Sequence, residues 1–65
     1  MRRPIELWLF VVKDTENAYL VSDTGSFDDA EWVPKSQVYL EENAGVGDTV
    51  EFVMPEWLAE EKGFI

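Results

Sequence analysis

The stretch that decides the fold is Ile5-Glu6-Leu7-Trp8-Leu9-Phe10-Val11-Val12-Lys13. Positions 5, 7, 9 and 11 are aliphatic, the period of two that puts alternate side chains on one face of a β-strand. Positions 8, 10 and 12 are apolar as well. A strand apolar on both faces is expected to be buried on both sides, to lie in a barrel, or to meet a second copy of the chain.

Working outward, Asp14 to Asn17 reads as a polar turn and Ala18 to Ser22 as a second strand, so the pair predicts a hairpin. Asp23-Thr24-Gly25-Ser26-Phe27-Asp28-Asp29 is turn chemistry. Ala30 to Val33 resumes a strand. Pro34 cannot donate to a ladder, so it predicts an edge or a bulge. Gln37 to Leu40 is expected to be a fourth strand, and Glu41 to Asp48 an acidic loop. Thr49 to Met54 alternates again, with Val50, Phe52 and Met54 on one face and Glu51 and Val53 on the other.

The period then changes. Pro55 to Gly63 predicts a short helix, with Pro55 at its first position and Gly63 as its C-terminal cap. Glu56 and Lys62 suit the two ends of the helix dipole. Trp57, Leu58 and Phe64 are expected to face the sheet, and Glu56, Glu60 and Glu61 to face water. The fold class is therefore α+β, mostly β: a small twisted antiparallel sheet or SH3-like barrel of four to five strands with one short C-terminal helix. Residues 1–65 form a single small domain.

The chain contains neither cysteine nor histidine. That removes disulfides, thiolate metal sites, the commonest general base and the commonest metal ligand. Stability has to come from the core, for which 46% hydrophobic and 14% aromatic residues are a generous supply. Trp8, Phe10, Trp32, Phe52 and Trp57 are expected there. Met1-Arg2-Arg3 has the charge of a signal-peptide start. The run after it is short, is interrupted by Glu6 and lacks a small-residue cleavage site, so the expected location is cytoplasmic.

Net charge is −9, unevenly spread. Residues 1–13 set Arg2, Arg3 and Lys13 against Glu6, leaving +2. Residues 14–65 set Lys35 and Lys62 against thirteen of the fourteen acids, leaving −11. A surface of this sign repels nucleic acid and attracts basic surfaces. The apolar content is too high for disorder to explain the charge.

Candidate chemistry is sparse. Asp23, Asp28, Asp29 and Glu31 crowd one loop, but the helix–loop–helix calcium spacing is absent and a solvated turn is the better reading. No metal or cofactor is expected. Paired carboxylates need a pocket that separates their pKa values, and a domain this small rarely encloses one. Ser36 adjoins Lys35, but strand neighbours point to opposite faces. No catalytic residue is assigned. Aromatics can stack on single-stranded bases, but the positive groove that tracks a backbone is missing.

The acids remain. Solubility alone accounts for some of them. On a strand, residues i and i+2 stand about 6.8 Å apart on one face, close to two phosphate steps along a DNA strand. Asp23, Asp28, Asp29, Glu31, Glu41, Glu42, Asp48 and Glu51 are therefore expected to form a row or rim that a DNA-binding groove accepts. Phe27 is the candidate aromatic anchor.

Two stretches carry a resemblance. Trp32-Val33-Pro34-Lys35-Ser36-Gln37-Val38 and Pro55-Glu56-Trp57-Leu58-Ala59-Glu60-Glu61-Lys62-Gly63 resemble a group of small phage, prophage and bacterial proteins with a W-aliphatic-P-K-S-Q-aliphatic segment and a P-E-W-L-A-x-E-K-G end. With the strand upstream, the likeness spans most of residues 18–64. It implies phage or mobile-element origin and no particular activity. By type, small acidic phage proteins resemble inhibitors of host defence, anti-CRISPR proteins among them. The expectation is a non-enzymatic, DNA-mimicking inhibitor, a monomer or homodimer, that binds the basic DNA-binding surface of a CRISPR effector. The alternatives are an accessory module that docks on a phage replication or recombination protein, and an aromatic-based binder of single-stranded nucleic acid.

Overall fold

The computed structural model describes residues 3–65. Met1 and Arg2, part of the charged start, lie outside them. Five strands and one helix follow in chain order: β1 (Pro4–Asp14), β2 (Ala18–Ser22), β3 (Glu31–Pro34), β4 (Tyr39–Leu40), β5 (Thr49–Pro55) and α1 (Glu56–Glu61). Two 3-10 turns, Phe27–Asp29 and Lys35–Gln37, precede β3 and β4 respectively. The result is a mixed α+β domain, one five-stranded sheet in the order β3-β2-β1-β5-β4 with every pairing antiparallel.

The edge strands β3 and β4 are joined by residues 35–38 alone. In a flat five-stranded sheet they would lie about 19 Å apart, four spacings of about 4.8 Å. Even a fully extended link from Pro34 to Tyr39 reaches only about 17 Å, and most of this link is a 3-10 turn, which rises about 2 Å per residue. The sheet must therefore curl so that its two edges approach. Pro34 ends edge strand β3, as its missing donor requires. The fourth strand is shorter than Gln37 to Leu40, because residues 35–37 are committed to the turn.

The curl gives the sheet an inner face. Leu9 and Val11 of β1, Val21 of β2, Val33 of β3, and Val50, Phe52 and Met54 of β5 are buried there. Leu58 and Ala59 of α1 close one end of this core. Tyr19 meets Phe52 edge-on, with ring centroids 5.5 Å apart at 84°, the arrangement aromatic quadrupoles favour. Val12 is an extra residue on β1: Val11 pairs with Val21, but Lys13 pairs with Leu20. Without this bulge Lys13 would follow Val11 inward, since i and i+2 share a face. The bulge sends the lysine to the outer face and adds local twist.

Helix α1 begins one residue later than expected. Pro55 is its N-cap, with ψ 144°, rather than its first helical residue. Its end follows the expectation. Gly63 has φ +78°, its N–H donates to Glu60 O at 3.1 Å, and Phe64 N–H donates to Ala59 O at 2.9 Å. That is the Schellman pattern, and its usual apolar contact is supplied by Phe64 packed on the core that includes Ala59.

Three of the aromatics expected in the core are not in it. Trp8 is 62% exposed, Trp32 44% and Trp57 44%. Phe10 is half-buried and Phe52 is fully buried. The physical reason is the one-sided sheet. β1 buries its odd face against the core, while its even face is exposed at Glu6 and Trp8 and only half-buried at Phe10 and Val12. Leu58 faces the sheet as expected; Trp57, one position along the helix, points away from it.

Candidate protein-binding surface

The loop between β2 and β3 is ordered by a chain of hydroxyl groups. Ser22, at 1% exposure, is a buried polar residue at the end of β2, opposite Phe10. Its Oγ accepts from Thr24 N–H at 3.2 Å and Gly25 N–H at 3.0 Å. Thr24 Oγ1 donates to Asp29 Oδ2 at 3.0 Å and accepts from Ser26 N–H at 3.2 Å. Thr24 has one hydroxyl proton and gives it to Asp29, so Ser22 Oγ is the donor in its 3.2 Å contact with Thr24 Oγ1. Ser26 Oγ then caps the 3-10 turn by accepting from Asp28 N–H at 3.3 Å. Gly25, with φ +83°, provides the left-handed bend.

This loop faces the end of α1. Asp23, Asp28, Asp29 and Glu31, with Thr24, line an open depression of about 360 Å³ whose other wall is Lys62, Gly63 and Phe64. Four carboxylates surround it against one ammonium. Among the described residues, no group of three or more acids is arranged to hold a metal ion. The carboxylates ring the depression instead of converging on a point. Phe27, beside them in the chain, is 64% exposed.

The other expected acids lie elsewhere. Glu41, Glu42 and Asp48 are exposed on the β4–β5 loop. There Asp48 folds back, accepting Gly45 N–H on Oδ2 at 2.9 Å and Val11 N–H on its backbone oxygen at 2.9 Å. Glu51 is on β5, directly opposite Trp8. None of these four lines the depression.

A single strand-spaced row of carboxylates is not what the fold builds. Only Glu31 and Glu51 of the eight acids stand on strands, and those strands, β3 and β5, are not neighbours. The other six are on loops and a 3-10 turn, where the 6.8 Å rule does not hold. Asp23, Asp28 and Asp29 stay together on the β2–β3 loop, because Asp and Ser at a bend are turn formers as well as charges.

The sequence reading also passed over the outer sheet face. Trp8 and Tyr39 are each 62% exposed on it. The available signal was Glu6, which shares a strand face with Trp8 and could not be packed in a core unpaired.

Lys35, inside the Trp32–Val38 motif, has a structural place. Its ammonium lies 2.7 Å from Asp14 Oδ1 and 4.6 Å from the Tyr19 ring centroid. Its backbone N–H donates to Asn17 O at 2.8 Å. The motif thus ties the link between the two sheet edges to the β1–β2 hairpin. No helix among the described residues is long and apolar enough to cross a membrane.

No protein-family model, curated protein or solved structure matches this chain.

Proposed function

We propose that this chain is a non-enzymatic inhibitor of the phage type, anti-CRISPR-like in action, that occupies the basic DNA-binding surface of a host defence complex. The observation that carries the reading is the gathering of Asp23, Asp28 and Asp29, on a loop tied down from the buried Ser22, with Glu31 at the start of β3, around one open depression. Fixed acids lose less freedom on binding than acids on a mobile tail, so more of their attraction survives as affinity. A chain of net charge −9 also steers toward a basic partner, with an on-rate that falls as salt rises. Phe27, exposed beside the acids, is the apolar anchor. Glu41, Glu42, Asp48 and Glu51 form a second acidic group that widens the field. Phage or mobile-element origin is part of the proposal and rests on the Trp32–Val38 and Pro55–Gly63 motifs.

The test is the triple reversal Asp28→Lys, Asp29→Lys and Glu31→Lys, assayed for binding to a CRISPR effector complex and for displacement of its DNA. The variant is expected to fold and to lose inhibition. Full inhibition by the folded variant overturns the mechanism. Capture of polymerase or recombinase subunits from a host lysate, in place of defence subunits, would favour the accessory-module alternative.

The exposed tryptophans support a second reading, direct binding of single-stranded nucleic acid by stacking. The carboxylates of Glu6 and Glu51 around Trp8 weigh against it, because they oppose a phosphate backbone. A fluorescence titration with a labelled oligonucleotide at low salt decides it, and micromolar or tighter binding would reverse the preference.

A further inference from the structure

The outer face of β4, β5 and β1 sets two exposed aromatic rings among two carboxylates. Residues directly opposite in an antiparallel ladder share a face, so the register fixes the pattern. One row across the sheet runs Tyr39, Val53, Glu6. The next holds Glu51 opposite Trp8. Opposed Cβ atoms in such pairs stand about 5 Å apart and diagonal neighbours about 7–8 Å. Each carboxylate therefore has an exposed ring within reach: Glu51 is opposite Trp8 and diagonal to Tyr39, and Glu6 is two residues from Trp8 along β1. Among the described residues neither Glu6 nor Glu51 makes an ion pair.

We infer that this face binds arginine side chains of an extended basic segment in a partner protein. The argument is charge complementarity joined to shape. A guanidinium stacks flat on an indole or phenol ring while its edge donates to a carboxylate, and Trp8 with Glu51 opposite and Glu6 two residues away offers both at neighbouring positions. Nucleic acid would bring phosphates against Glu6 and Glu51. A second copy would bring another chain of charge −9, which opposes pairing through an acid-bearing face. Alternate residues of an extended peptide repeat at about 6.8 Å, which matches the spacing of Glu6 and Trp8 along β1. The inference does not depend on the depression beside Lys62, since none of the residues lining it belongs to this face.

The experiment uses the full chain, isotope-labelled, titrated at low salt with a short synthetic peptide carrying arginine at alternate positions. The Trp8 indole N–H signal and the Tyr39 ring signals are expected to shift. Trp8→Ala is expected to weaken binding about tenfold and Glu51→Gln about fivefold. The matched lysine peptide should bind more weakly than the arginine one. The triple reversal Asp28→Lys, Asp29→Lys and Glu31→Lys should leave the Trp8 shift in place, which separates this surface from the loop acids. Four results would overturn the inference: unmoved Trp8 and Tyr39 signals, undiminished binding by both Trp8→Ala and Glu51→Gln, Trp8 shifts that follow protein concentration without peptide, or shifts caused by oligothymidylate in preference to the peptide.

Discussion

Lys35 places its ammonium 2.7 Å from the carboxylate of Asp14, across the junction between the β1–β2 hairpin and the link that joins the two edges of the sheet. The hydrogen bond to Asp14 raises the lysine above its ordinary value of 10.5, against a smaller opposing effect of desolvation. The Tyr19 ring beneath the ammonium adds a cation–π contact.

The pH dependence has a definite sign. A lysine with a raised pKa in the folded chain contributes stability fully below its unfolded value and loses it as pH climbs through the folded value. Lys35→Met is therefore expected to be less stable than the parent at neutral pH. The difference between their urea midpoints should close as pH climbs past the raised folded value. Lys35→Arg, which keeps both the ion pair and the ring contact, should fall between the two. The pair is part-exposed, so high salt should narrow the gap as well.

Burial separates Phe52 from Trp8, two large aromatics on adjacent strands. Phe52→Ala empties the centre of the core and is expected to cost about 3–5 kcal/mol, a large part of what a domain this size has in total. Trp8→Ala removes an exposed ring and should change stability by less than about 1 kcal/mol. Denaturant unfolding followed by circular dichroism reads both. Equal losses would contradict the one-sided sheet.

Ser22 ties the buried end of β2 to the acidic loop. Ser22→Ala leaves the Thr24 and Gly25 amides without their acceptor, at a cost of about 1–3 kcal/mol. Hydrogen exchange at those two amides should quicken. Affinity for a basic partner should drop although every carboxylate is still present. Unchanged affinity would mean that the acids act through net charge and not through their placement.

The sequence made β5 legible by its alternation, and β1 and β2 by apolar runs bounded by the polar turns at residues 14–17 and 23–29. The inner face of β5 was readable to the residue, since Val50, Phe52 and Met54 alternate with a clear acid at Glu51. β1 was ambiguous for a physical reason: two apolar faces satisfy the same period, and the even face is left exposed at Glu6 and Trp8 but half-buried at Phe10 and Val12. The bulge at Val12 had no local signal, because Val12 is apolar whether or not it is paired. β4 is two residues long and is defined by its partner β5 more than by its own side chains. The acids of the β2–β3 loop were legible as a group through their turn chemistry. Their arrangement around a depression was not, because its far wall is the end of α1, some thirty residues later in the chain.

The order of the strands also governs when the molecule can exist. β1, the first strand in chain order, lies at the centre of the sheet, and one of its two neighbours is β5, the last strand in that order. A nascent chain that stops short of Thr49 can form the hairpin of β1 and β2, but it has no Val50, Phe52 or Met54 to set against Leu9 and Val11. The core then stays open to solvent on one side, and the Lys35 tie has only half a sheet to fasten. Pairings between such distant segments form slowly, after the local ones. The core therefore closes only when β5 has paired with β1, and the same pairing sets Trp8 opposite Glu51 on the outer face.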